Sequence, residues 1–173
     1  VGGGAPGSMG AIRYITNAHL WGGAGYVVLG SDDPQPWAEI WSSYQAVWTR
    51  NETTTDPSRV ESPEDVVGRT TELAKEYAAE SKRIGIVNRD KLLSVGQQRL
   101  FEEALDGFEV MEFSGDYNAI RQIKTPFELE AMQQNGSILD ECMDVFRENA
   151  YVGARYWDVT AATEAFVKSH GAF

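Results

Sequence analysis

The sequence predicts a mixed α/β protein, a sheet with helices packed on it, followed by a stretch that is helical throughout. Short apolar or β-branched runs alternate with helix-like segments as far as Phe113, the order expected of strands and their covering helices. Beyond Thr125 the period changes. Leu129, Met132, Gly136, Leu139, Met143 and Phe146 recur at alternating steps of three and four, which places them on one face of a long helix. Thr125-Pro126-x-Glu128 opens that helix with a capping box and proline at its first position. The change of period divides the chain into residues 1–123 and 124–173.

The elements follow in order. The first ten residues contain Gly-x-Gly-x-x-Gly at Gly2, Gly4 and Gly7. A dinucleotide site needs that motif between a strand and a helix, so that the helix N-terminus meets the pyrophosphate. Here it precedes β-branched, strand-like Ile12–Thr16 with no helix expected, so a flexible loop or a cloning remnant is the better reading. Ala11–Thr16 and Gly25–Leu29 are expected as strands, joined by a connection carrying His19 and Trp21, and Gly30–Pro34 as a turn. Trp37, Trp41, Tyr44 and Trp48 follow four-three-four spacing, the face of a helix that packs in the core or at a dimer interface; an aromatic ligand cage is the sharper alternative. Asn51–Pro57 is expected as an exposed loop, and Ser62-Pro63-Glu64-Asp65 as the start of the next helix. Strands at Ile84–Val87 and Phe108–Phe113 flank a helix over Ser94–Leu105 that Gly107 closes, and Ser114-Gly115-Asp116 turns the chain toward the boundary. After the long helix, a turn around Gly153 leads into a last helix over Trp157–His170, with Gly171 at its end.

Composition narrows the function classes. The chain has 173 residues, enough for one ordinary domain or for one domain and part of another. A formal net charge of −11 argues against a nucleic-acid partner, which requires a basic stripe. Cys142 is the only cysteine, so no intrachain disulfide forms, and its place beside an apolar helix face predicts a buried structural thiol. There is no membrane-spanning run and no signal peptide pattern, and a reducing cytoplasm is the default location.

No self-contained catalytic set is visible. His19 and His170 are far apart and neither belongs to a metal-ligand spacing. His170 suits the last turn of a helix, where imidazolium meets the negative end of the dipole. The serines lack the Gly-x-Ser-x-Gly elbow, and Glu102, Glu103, Glu128 and Glu130 fall on helices, where carboxylates are ordinarily solvated.

Four stretches taken together carry a resemblance. Arg121-x-x-Lys124-Thr125-Pro126-x-Glu128, Ile12-Arg13-Tyr14-Ile15-Thr16-Asn17, Arg83-Ile84-Gly85-Ile86-Val87 and Val152-Gly153-Ala154-Arg155-Tyr156-Trp157-Asp158-Val159 stand in the order found in the creatinase, prolidase and aminopeptidase P proteins, the pita-bread metallohydrolases. The resemblance implies a ribonuclease H-like N-terminal domain over residues 1–123, followed by two helices that begin an incomplete pita-bread catalytic domain. It implies a homodimer, and nominates Arg13, His19 and Trp21 as residues that face substrate in the partner subunit's pocket. The family's metal ligands, two aspartates, a histidine and two glutamates, correspond to positions beyond Phe173. The chain is therefore expected to be a non-catalytic fragment that serves dimerisation and pocket shaping. The parent would use two divalent ions (manganese, cobalt or zinc) to activate water against a small peptide or amide-like substrate, most commonly at a Xaa-Pro bond. The alternative is a standalone, non-catalytic α/β interaction module. Either way the apolar stripe after Pro126 is expected to find cover, by self-association or by docking back on the N-terminal domain.

Overall fold

A computed structural model describes residues 10–18, 20 and 24–171. Within them the chain forms the elements α1 (Gly10–Thr16), β1 (Gly25–Val28), β2 (Trp37–Ile40), α2 (Ser43–Glu52), β3 (Val60–Glu61), α3 (Val66–Tyr77), β4 (Arg83–Ile86), α4 (Arg89–Leu92), α5 (Val95–Ala104), β5 (Glu109–Glu112), α6 (Ser114–Gln122), α7 (Pro126–Asn149) and α8 (Tyr156–Ser169). The architecture is mixed α/β. The chain divides into two compact units, Val1–Ile120 and Arg121–Phe173.

Among the described residues the first unit holds five strands in two sheets. One has the order β1-β2-β3, with β1 and β2 antiparallel (Gly25 opposite Ile40, Val28 opposite Trp37) and β2 and β3 parallel. The other is the parallel pair β4-β5, with Ile84 opposite Val110. Two apolar layers cover them. Tyr26 and Val28 of β1, Ile84 and Ile86 of β4, Val66 and Leu73 of α3 and Phe101 of α5 form the larger. Val27, Ala38, Ile40 and Val60 meet Ile12 of α1 and Ala46 of α2 on the other side of the first sheet. Alternate residues of β1 thus feed different layers, as the strand's two-residue period requires.

Several expectations change. Residues 11–16 are helical rather than a strand. Ala11, Ile12 and Thr16 are buried together at helical spacing, and the Thr16 hydroxyl donates to the Ile12 carbonyl at 2.8 Å, one turn back. Packing of that face outweighs the β preference of the isoleucines. The aromatic series from Trp37 to Trp48 is not one helix. Residues 37–40 pair with β1, and Ala38 and Glu39 also with β3; Ser42 then caps α2 by accepting from the Gln45 amide, and the regular spacing spans a strand and a helix. Residues 51–57 are not simply an exposed loop: α2 runs through Glu52, Thr55 is buried, and the Thr53 hydroxyl donates to the Thr16 carbonyl at 2.7 Å. The third helix begins at Val66, because the Asp65 carboxylate, not Ser62, accepts from the Gly68 amide. Ser114-Gly115-Asp116 opens α6 instead of a turn, held by the Tyr117 hydroxyl, which donates to the Ala11 carbonyl at 2.6 Å.

Other expectations hold. The β4, α5 and β5 segments lie where the periodicity puts them, Ser94 and Gln97 form a reciprocal capping box, and Gly107 supplies the left-handed residue (φ +83°) after α5. In the second unit, Thr125 and Glu128 cap α7 reciprocally. His170 caps α8 at its C-terminus, with Nδ1 2.8 Å from the Phe166 carbonyl. Cys142, expected as a buried thiol, is only partly covered.

Candidate functional site

Of the three residues nominated for a substrate pocket, Arg13 sits on α1 with its side chain exposed. His19 and Trp21 lie outside the described residues, as do Gly2, Gly4 and Gly7.

A polar cluster forms elsewhere in the first unit, around Trp37 at the start of β2. The guanidinium groups of Arg59 and Arg69 stand over its ring, 5.3 and 5.5 Å from the centroid. Arg59 ends the single 3-10 turn Pro57–Arg59, which Asp56 caps, and Arg69 projects from the second turn of α3. Each cation is held by a carboxylate. Arg59 Nη1 donates to Asp33 Oδ2 at 2.5 Å and to the Gln35 carbonyl at 2.6 Å. Arg69 Nε donates to Glu61 Oε2 at 3.0 Å. The Tyr77 hydroxyl, from the last turn of α3, donates to Asp33 Oδ2 at 2.7 Å and accepts from the Trp37 indole at 3.2 Å. The approach is close enough to require glycine at position 30, where a Cβ would come within 2.3 Å of the Tyr77 ring. An open cavity of about 820 Å³ lies beside the cluster, with Asp32, Trp37, Arg59, Arg69, Glu76 and Tyr77 in its wall.

Electrostatics follow this geometry. Hydrogen bonds from Arg59, then Tyr77 and the Gln35 amide, pull the Asp33 carboxyl down to about 2. Arg59 and Arg69 are raised by their carboxylate partners, and Tyr77 is raised by burial and then by Asp33. Glu39 is different. It is fully enclosed on β2 beside Glu61 of β3, and neither of its oxygens has a hydrogen-bond partner. Burial, then the Glu61 charge, lifts it to about 7, with Arg69 opposing.

The chemistry open to this cluster is limited. Each guanidinium is matched by a carboxylate, and the tyrosine hydroxyl is engaged on both sides. The arrangement is a clasp that ties the 33–35 turn, β2, the 57–59 turn and α3 together by charge-assisted hydrogen bonds and cation–π contact. Among the described residues, no group of three or more His, Cys, Asp or Glu side chains is placed to hold a metal ion. Sequence reasoning missed the clasp because its members are far apart in the chain and obey no local spacing. The one signal was the pair of Pro-containing turns, Asp33-Pro34 and Asp56-Pro57, that present Asp33 and Arg59.

The second unit has a different feature. α7 buries none of its residues, and Phe127, Leu129, Met132, Leu139, Met143 and Phe146 are all exposed, Phe127 by 79% and Leu139 by 61%. No helix among the described residues is long and apolar enough to cross a membrane. No family model matches the chain, and no curated protein matches it.

Proposed function

We propose that the chain is the assembly-forming, non-catalytic part of a metal-dependent hydrolase of the creatinase and prolidase type, with a ribonuclease H-like N-terminal domain and the first helices of a pita-bread domain. The observation that carries this reading is the junction Arg121-x-x-Lys124-Thr125-Pro126-x-Glu128. It opens a 24-residue helix with a reciprocal capping box, at the point where one compact unit gives way to another. The exposed apolar stripe of α7 supports it, since such a face calls for a covering surface. In this reading a homodimer brings Arg13, His19 and Trp21 to the mouth of the partner's pocket. The two divalent ions belong to residues outside this chain. The described residues do not fit a dinuclear centre, so no catalytic step is assigned to them.

The same exposed stripe favours one other reading, a standalone interaction module of the same fold class. Hydrolysis of Xaa-Pro dipeptides with manganese, cobalt or zinc separates the two. The 173-residue chain is expected to be inactive with every ion, and the product of its complete reading frame active. Turnover by the chain alone would overturn the non-catalytic assignment. A reading frame that ends at Phe173 would leave the interaction module.

A further inference from the structure

A carboxylate taken into an apolar interior is ordinarily paired, because an unpaired ion keeps the full cost of its lost hydration. Glu39 departs from that rule. It is enclosed on β2, and among the described residues neither of its oxygens has a hydrogen-bond partner. Register sets its surroundings. Glu39 lies opposite Tyr26 of β1 and opposite Glu61 of β3. Residues directly opposite on neighbouring strands share a face, and so do residues two apart along one strand. Tyr26, Trp37, Glu39 and Glu61 therefore stand together on the face that α3 covers.

The charged and titratable groups on that face, among the described residues, come from few elements. β3 brings Glu61, and α3 brings Arg69, whose Nε donates to Glu61 Oε2 at 3.0 Å and whose Nη1 lies 3.8 Å from Glu72 Oε2. β1 brings the neutral Tyr26 hydroxyl, which has no hydrogen-bond partner of its own. α5 arrives through the Phe101 ring, 5.1 Å from that of Tyr26. Arg59 and Asp33 are paired on the other side of Trp37. α2 covers the opposite face of the sheet with Ala46, and its Arg50 donates to the Val60 carbonyl. The charges that reach Glu39 are those of Glu61, which disfavours its ionised form, and Arg69, which favours it. Two carboxyls on adjacent strands thus compete for one guanidinium. Arg69 and Glu61 are each about one-third exposed and have room to turn, whereas Glu39 has none.

We propose that Arg69 is a proton-gated switch between Glu61 and Glu39. With Glu39 protonated, Arg69 holds Glu61 and covers the Trp37 ring, 5.5 Å from its centroid. When Glu39 gives its proton to solvent, the buried negative charge draws Arg69 inward, the bond from Arg69 Nε to Glu61 breaks, and Glu61 takes its hydrogen bonds from water. The exchange runs this way because an ion pair gains more in the interior than at the surface, and because a hydrated carboxylate tolerates the loss of its partner where an enclosed one does not. Burial first, and the Glu61 charge second, bring the proton equilibrium of Glu39 to about 7, where small changes of pH act on it. Trp37 and Arg69 both lie in the wall of the open cavity of about 820 Å³, so the exchange uncovers the indole to that space. A proton held under the sheet thereby sets the charge and polarity of a surface that solvent reaches.

The test is an NMR titration of the whole chain from about pH 5 to about pH 8.5, with carbon-labelled glutamate and nitrogen-labelled arginine and tryptophan. The Glu39 carboxyl carbon, the Arg69 Nε and the Trp37 indole nitrogen are expected to shift through one common midpoint near 7. Proton–proton contacts between Arg69 Nε–H and the Glu61 side chain should be present below the midpoint and lost above it. Glu39→Gln should hold Arg69 on Glu61 at every pH. Glu61→Gln changes a partly exposed side chain, so the test does not depend on the fold tolerating a change at Glu39. It removes the competing charge and should lower the Glu39 midpoint by about one pH unit. A Glu39 carboxyl that titrates while Arg69 keeps its contacts with Glu61 would overturn the switch and leave a simple buried acid. A Glu39 carboxyl that holds one protonation state over the whole range would overturn it as well, and so would a midpoint in Glu61→Gln equal to or above that of the wild type.

Discussion

Glu39 carries the clearest pH signature in the molecule. Its carboxyl is raised from the usual 4.5 to about 7, by burial first and by Glu61 second. A carboxyl whose folded value lies above its unfolded value binds its proton more tightly in the native state. Stability therefore falls as pH rises from about 4.5 to about 7, and the cost stays constant above that window. The shift corresponds to roughly 3 kcal/mol. In urea titrations the wild-type midpoint is expected to drop between pH 5 and pH 7.5, and Glu39→Gln should be nearly flat over the same range. Equal slopes for the two proteins would sink this account. Asp33 has the opposite sign. Its carboxyl is held down at about 2, chiefly by Arg59, so its contribution is present above pH 3.8 and lost as pH falls toward 2. Asp33→Asn should remove that acid-limb dependence and leave the Glu39 window untouched. Neither carboxyl was legible from sequence as a special group. Glu39 lies in Trp37-Ala38-Glu39-Ile40, where helical spacing of the aromatics suggested the wrong element, and the partners of Asp33 are brought near only by the fold.

At the scale of elements, local signals were strongest where a side chain satisfies a helix end. Thr125 Oγ1 accepts from the Glu128 amide at 3.2 Å, and Glu128 returns the bond by accepting from the Thr125 amide at 2.8 Å. Both bonds are encoded within four consecutive residues, so the start of α7 was legible without any tertiary information. Thr125→Ala should destabilise the second unit by about 1 kcal/mol. The effect would be read as faster amide exchange across the first turn of α7, with the first unit unchanged; an equal change in both units would show that the loss was not local. α1 and α6 were illegible for the opposite reason. Each is short, and each is fixed by contacts with residues distant in the chain. The Tyr117 hydroxyl of α6 reaches the Ala11 carbonyl, and Asn17, at φ +55° after α1, donates its side-chain amide to the Glu52 carbonyl at 2.9 Å. Tyr117→Phe removes the hydroxyl that ties α6 to the Ala11 carbonyl and should cost about 1 kcal/mol. A denaturant midpoint unchanged from wild type would deny the bond its structural role.

For the whole molecule the decisive quantity is the apolar surface that α7 leaves open. Leu129, Met132, Leu139, Met143 and Phe146 form the stripe that the sequence period predicts, and each is between 43% and 61% exposed. The period told which residues share a face; it said nothing of what covers them, because cover is a property of a second surface. Isolated apolar residues are normal on any protein, whereas a continuous apolar stripe along a helix is the kind of surface that association would cover. The formal charge of −11 opposes close approach of two copies at low salt and is screened as salt rises. Self-association through α7 should therefore strengthen with ionic strength, the reverse of an interface held by opposite charges. Sedimentation equilibrium is expected to show a reversible dimer, tighter at 0.5 M than at 0.05 M salt. Leu139→Glu combined with Met143→Glu, one turn apart on the stripe, should weaken it about a hundredfold, since each change places a charge at the contact. A chain that stays monomeric at high concentration and high salt, or a dimer indifferent to the double substitution, would move the interface away from this helix.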